Sequence, residues 1–156
     1  MLNIRRARRE DCQFIGDVHT AAVGGIRTSL YTPEELRAWA VPRKPESYEE
    51  LIGTREFFVA EMDDVIVGFG VLNQASAEVE AIYVNPGAGR RGIGLDVLRK
   101  LEERARSLKL EILRLNASLN AVQFYEKAGY IAQEPSKYRL LTGIEIACVP
   151  MVKLLS

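Results

Sequence analysis

The sequence predicts a mixed α/β domain, and three features carry that expectation. Two β-rich runs, 57–62 and 65–72, are split by Asp63 and Asp64, and a third follows over Glu78–Val84; together they read as an antiparallel meander. The third run leads through a glycine-rich loop into a long amphipathic helix and then a further apolar run at 112–116, a strand–helix–strand unit that implies a parallel crossover. The chain has 156 residues, 47% of them apolar. That is enough for one compact core and too little for two ordinary domains, so residues 1–156 read as a single domain.

The elements follow in order. Leu2–Arg6 alternates as a strand, after which Asp11, Phe14, Ile15, Val18 and Ala22 recur at helical spacing until Gly24 and Gly25 stop the helix. Thr32, Pro33 and Glu35 form a capping box with proline at the first helical position, launching a helix through Leu36, Trp39 and Ala40. Ser47 and Glu50 repeat the device for a short turn before the meander. Beyond the glycine-rich loop, Val97, Leu98, Leu101, Ala105 and Leu108 mark one face of the long helix. Asn120 with Gln123 caps a second short helix that ends at Gly129, and two final strands surround Pro135 and end near Leu154.

Charge and cysteine usage exclude several function classes. The 21 Lys and Arg residues balance the 21 Asp and Glu, so nothing electrostatic demands nucleic acid or a membrane surface. The basic run Arg5, Arg6, Arg8 and Arg9 reads as a first strand running into an acidic helix start at Glu10 and Asp11. Cys12 and Cys148 have no metal-type spacing and come without a signal peptide or a long apolar span, which points to two buried thiols and the reducing cytoplasm. His19 is the one histidine, so no metal site is expected.

Chemistry concentrates between Glu78 and Tyr130. Gly89, Arg90, Arg91, Gly92, Ile93 and Gly94 lie between a strand end and a helix start, where unpaired backbone N–H groups and the positive end of the helix dipole hold phosphate. Glycine permits close backbone approach, and the two arginines add positive charge that suits a pyrophosphate. Gly87, Gly89 and Gly92 also satisfy the dinucleotide fingerprint. However, Asn85 and Pro86 separate that match from the strand, the next strand ends in Asn116 rather than an acid, and the chain lacks room for a doubly wound sheet.

Three segments in register carry a more specific likeness: Tyr83-Val84-Asn85-Pro86, then Arg90-Arg91-Gly92-Ile93-Gly94, then Asn120 through Gln123, Phe124, Tyr125 and Gly129 to Tyr130. They resemble the signature motifs of the GNAT superfamily of N-acetyltransferases, and with the upstream pattern the likeness covers essentially the whole chain. It implies a mixed central sheet of about seven strands, flanked by helices, whose parallel central strands splay apart to admit acetyl-CoA. Carried over by position, Ile82, Tyr83 and Val84 would offer backbone hydrogen bonds to the pantetheine arm and thioester. The loop of Gly89, Arg90, Arg91, Gly92, Ile93 and Gly94 would cradle the pyrophosphate, and Asn120 would contact the cofactor beside the splay. The family loop usually begins with Arg or Gln, whereas this one begins with Gly89, and Tyr130 replaces a common phenylalanine.

The implied reaction assigns further roles. A protonated amine must lose a proton before attacking a thioester, and Glu78 and Glu80 are the candidate bases, sharing one strand face by period two unless a bulge reverses the facing. Family register favours Glu78. Tyr125 occupies the position of the general acid, and a phenol with an ordinary pKa of about 10 stays protonated at neutral pH. The acceptor region contains His19, Tyr31, Trp39, Tyr48 and Tyr138, which suit either a pocket or a core. The expected partners are therefore acetyl-CoA and an amine on a small molecule or peptide, with no metal, and a homodimer is compatible with the sequence. The alternative is a non-catalytic acetyl-CoA-binding or sensor module.

Overall fold

The structure, a computed structural model, describes residues 1–88 and 92–155. Its sheet has eight strands, one more than expected: β1 (Leu2–Arg6), β2 (Glu56–Met62), β3 (Val65–Asn73), β4 (Glu78–Val84), β5 (Ile112–Ser118), β6 (Ile131–Ala132), β7 (Ser136–Arg139) and β8 (Glu145–Leu154). They run in the spatial order β1-β2-β3-β4-β5-β8-β6, with β7 also paired to β8. The extra strand arises because the segment around Pro135 makes two short pairings with β8 instead of one. The β2–β3 hairpin turns at Asp63 and Asp64, both in the left-handed region at φ 50° and 66°, as a two-residue turn that follows strand twist requires.

Helices α1 (Cys12–Gly24), α2 (Pro33–Trp39) and α3 (Pro45–Thr54) precede the hairpin, α4 (Ile93–Ser107) forms the crossover from β4 to β5, and α5 (Val122–Lys127) follows β5. The Thr32 box is present in full. The Glu35 amide donates to the Thr32 hydroxyl at 3.1 Å, and the Thr32 amide donates to the Glu35 carboxylate at 2.9 Å. The Ser47 turn needs correcting: Pro45 at the first helical position starts α3 earlier, with Lys44 held extended before it, so Ser47 lies inside the helix. The Asn120 cap also needs correcting. Leu119–Ala121 is a 3-10 turn, and α5 starts after Ala121 without a side-chain cap.

Alternation on the strands divides the core between two faces. Phe58, Leu72, Val79, Leu113, Leu115 and Met151 meet Leu98, Leu101 and Ala105 of α4, and Phe57, Val59, Phe69 and Val71 meet Ile15 and Val18 of α1 and Tyr48 of α3. Gly70 lets α4 approach, since a Cβ there would stand 2.5 Å from Val97 Cγ1. Phe14 points to solvent at 56% exposure because the buried stripe of α1 runs through Cys12, Ile15, Val18 and Val23. Cys12 and Cys148 are free and buried. The basic run is neutralised locally: Arg5 pairs with Asp11 at 2.8 Å and with Glu61 at 3.3 Å, Arg6 with Glu56 at 2.7 Å, and Arg9 with Glu49 at 3.4 Å. No described helix is long and apolar enough to cross a membrane.

Candidate active site

The site begins where two parallel strands stop pairing. β4 and β5 are in register only at Glu78 with Arg114 and Val79 with Leu115, while β5 goes on pairing with β8 as far as Ser118. Beyond Val79 the β5-facing edge of β4 therefore has no strand beside it. The Asn85 amide donates to Val67 O of β3 at 2.8 Å, so alternation along the strand turns the amides of Val84 and Ile82 towards the opposite edge, into the opening. The splay lies in a cleft of about 690 Å³. One wall carries Glu78 through Val84, and the other carries Leu115, Asn116, Ser118, Asn120 and Tyr125.

A bulge decides how the two acids sit. Val71 pairs with Ala81 and Leu72 with Val79, leaving Glu80 as the extra residue. Because the insertion falls at Glu80 itself, Glu78 and Glu80 both line the cleft, and the facing changes only after them. Val79 and Ile82, three residues apart, pack on the α4 side, whereas Ala81 and Tyr83 pack on the α1 side. The carboxylates differ in their partners. Glu80 accepts from Arg55 Nε at 2.8 Å and Asn73 Nδ2 at 3.2 Å. Burial, reinforced by the Glu80 charge, pushes the Glu78 carboxyl above the ordinary range against the opposing pull of Arg55. Strand register makes the Arg55–Glu80 pair: Glu56 is opposite Leu72 and Glu78 opposite Asn73, which brings the residue preceding β2 to the end of β4.

Tyr125 enters from α5. Its ring packs edge-on against Phe124 at 5.0 Å and Tyr130 at 5.8 Å, and its hydroxyl makes no hydrogen bond to any described residue. Burial first, and then the neighbouring Tyr83, push that phenol well above its usual value, so it is a proton donor at any physiological pH. Tyr130 takes a structural part: its hydroxyl donates to Glu102 at 2.8 Å, and Lys153 Nζ reaches the same carboxylate at 3.0 Å and Ala128 O at 2.8 Å. This buried set anchors the turn after α5.

The remaining expected residues divide. Gly92 is the N-cap of α4 at φ 83°, with nothing within 4 Å of a would-be Cβ, so conformation rather than space calls for glycine there. Ile93 is buried against Val97 and Ala60, and a Cβ added at Gly94 would stand 3.6 Å from the Phe124 ring. Gly89, Arg90 and Arg91 lie outside the described residues. Of the acceptor-region aromatics, His19, Trp39, Tyr48 and Tyr138 line the cleft. Tyr31 is instead a buried tie, donating to Ala147 O at 2.6 Å and accepting from the Leu119 amide at 2.9 Å.

A family profile described as an acetyltransferase (GNAT) domain matches residues 28–155. The chain belongs to the GNAT acetyltransferases. No curated protein sequence matches it. Among solved structures it is similar to a GCN5-related N-acetyltransferase from Rhodopseudomonas palustris at 25% identity and TM-score 0.85, over 98% of this chain and 95% of that one. The PaiA N-acetyltransferase of Thermoplasma acidophilum, solved with coenzyme A, aligns at 20% identity and TM-score 0.79 over 99% of both chains. A phosphinothricin acetyltransferase of Sinorhizobium meliloti, solved with acetyl-CoA, aligns at 19% identity and TM-score 0.74 over 99% and 89%. A GNAT domain with a splayed β4–β5 pair is an acyltransferase fold, and this chain carries it on a mixed sheet flanked by helices.

Arg55 and Asn73, which hold Glu80, are the site residues that pattern reading misses. Neither belongs to a motif, and only the pairing of three strands brings Arg55 to the cleft and Asn73 to Glu80.

Proposed function

We propose that the chain transfers the acetyl group of acetyl-CoA directly to a primary amine of a small molecule or peptide, with Glu78 as base and Tyr125 as acid. The observation that carries this reading is the placement of a carboxyl of raised pKa and a phenol with no hydrogen-bond partner among the described residues in one cleft, at the point where β4 and β5 separate. The cleft suits the cosubstrate: the outward amides of Ile82 and Val84 fit an extended amide-bearing arm, and Gly92 at the start of α4 fits a pyrophosphate at a helix N-terminus. Asn120 stands on the rim of the opposite wall.

Glu78 removes the ammonium proton, directly or through one water, freeing the lone pair for attack on the thioester carbonyl. The outward β4 amides receive the charge that develops on the carbonyl oxygen. When the carbon–sulfur bond breaks, Tyr125 gives its proton to the departing thiolate and regains one from solvent. Glu80, occupied by Arg55 and Asn73, holds Arg55 away from Glu78 and adds negative charge beside it; it is a positioning residue.

Acetyl-CoA should raise the melting temperature, by about 2.7 kcal/mol of added stability at a hundredfold excess over Kd, while NAD should not. Equal stabilisation by NAD would remove the acetyl-transfer reading.

A further inference from the structure

The acceptor side of the cleft carries an unbalanced charge. Its charged lining residues among those described are Glu78, Glu80, Arg43, Arg55 and Arg139. Arg55 and Glu80 cancel each other. Neither Arg43 nor Arg139 has a carboxylate partner among the described residues, so the cleft lining holds two unpaired guanidinium-bearing residues against a single carboxyl, Glu78, left outside the Arg55–Glu80 pair. A polyamine or multiply cationic antibiotic would bring more positive charge to that wall. An acceptor with an anionic group would instead complete it.

A second donor stands on the same wall. Trp39 Nε1 donates to the Tyr83 hydroxyl oxygen at 2.9 Å. An indole N–H is a donor only, so the Tyr83 oxygen accepts and its own hydrogen must point elsewhere; no described residue receives it. Burial holds the Tyr83 phenol up at about 12, so it keeps that hydrogen. Trp39 is itself fixed, because its carbonyl oxygen lies 2.6 Å from His19 Nε2. Burial keeps His19 below its ordinary pKa, and facing a carbonyl its Nε2 must carry the proton. His19 also packs edge-on against Tyr83 at 4.6 Å, so the phenol is held by a ring on one side and a donor on the other. Arg43 lies in the loop between α2 and α3, its amide 3.4 Å from the Tyr48 hydroxyl, and its charge is felt at Tyr83, Tyr48 and His19.

We propose that the acceptor is an amine that also carries a carboxylate, an amino acid or a close analogue, with the carboxylate taken by Arg43 and the Tyr83 O–H and the amine presented to Glu78. This rests on the acetyl-transfer reading and names its substrate class. Guanidinium and phenol supply charge-assisted hydrogen bonds to the anion, and the aromatic walls of Trp39 and Tyr138 accommodate the side chain.

The test uses the full chain with acetyl-CoA and matched acceptors: each α-amino acid, its carboxamide, the corresponding decarboxylated amine, and spermidine. Thiol release gives kcat and KM, and melting temperature with CoA present reports acceptor binding without turnover. The acids should exceed their carboxamides in kcat/KM by about tenfold or more, the worth of one hydrogen bond to a charged group. Arg43→Gln and Tyr83→Phe should each shrink that preference, mainly through KM for the acid. Spermidine or the carboxamides being used as well as the acids would overturn the proposal, as would an undiminished preference in folded Arg43→Gln. So would an absence of both turnover and CoA-dependent stabilisation with every acid. Acetyl-CoA binding measured without acceptor separates the two readings: if it is intact, only the acceptor assignment falls, and if it is absent, acetyl transfer falls with it.

Discussion

Replacing Glu78 by glutamine keeps the size and polarity of the side chain while removing its ability to take a proton. General base catalysis contributes about a hundredfold or more, so Glu78→Gln should lose at least about 2.7 kcal/mol of transition-state stabilisation. The pH profile carries more information than the size of the loss. In the wild type, activity falls as pH drops through the raised Glu78 pKa; in Glu78→Gln that acid limb disappears, and rate rises only as the amine itself deprotonates. Glu80→Gln should behave differently, because the Arg55–Glu80 pair is about a quarter exposed and exposed pairs are worth about 0–1 kcal/mol. Its effect is on Glu78: one cause of the raised pKa is removed and Arg55 is released to stabilise the carboxylate. The acid limb therefore moves to lower pH with a smaller loss of rate. Steady-state profiles of the three proteins with one acceptor, at saturating acetyl-CoA, distinguish these outcomes. Retention of the acid limb in Glu78→Gln, or a greater loss in Glu80→Gln, would refute the assignment of the base.

Three further outcomes follow from the same structure. Tyr125→Phe should retain the fold and acetyl-CoA affinity and lower kcat about a hundredfold, read from thiol release, because only the donated proton is lost. Gly70→Ala should lower the melting temperature by roughly 2–12 °C, since its Cβ would overpack Val97 and Leu101; an unchanged transition would mean that α4 shifts at no cost. Acid should destabilise the protein through Asp11, which burial would push up but which hydrogen bonds from Arg5 and the Arg8 amide hold below the ordinary carboxylate range. Its contribution is complete above the unfolded pKa of about 4 and disappears as pH falls through the lower folded value, so Asp11→Asn should flatten the melting temperature between about pH 5 and 3.

Much of this architecture was legible because local chemistry agreed with the final packing. The Thr32 box and the Asp63–Asp64 turn each need only neighbouring residues, and the structure has them where the pattern puts them. Errors came where a nearby competitor was stronger. Pro45 starts α3 ahead of Ser47, and the 3-10 turn at Leu119–Ala121 takes Asn120 away from the cap of α5. Phe14 matched the helical period but fell outside the narrower buried stripe. In the site, the signature segments pointed to Tyr125 and to the strand of Glu78, whereas the bulge at Glu80 and its partners Arg55 and Asn73 depend on strand register. The same holds for Trp39 and Tyr83, 44 residues apart, whose hydrogen bond orients a donor in the cleft.

The central claim is that the β4–β5 opening is a site of acetyl transfer to an amine, and mass spectrometry of the acceptor tests it most directly. Incubated with acetyl-CoA and a panel of amines, the wild-type protein should add one acetyl group to the nitrogen of an acceptor and release one CoA thiol for each, and Glu78→Gln and Tyr125→Phe should both be slower. Tight acetyl-CoA binding with no acetylated product from any amine would contradict the account and leave a cofactor-binding module in place of an enzyme.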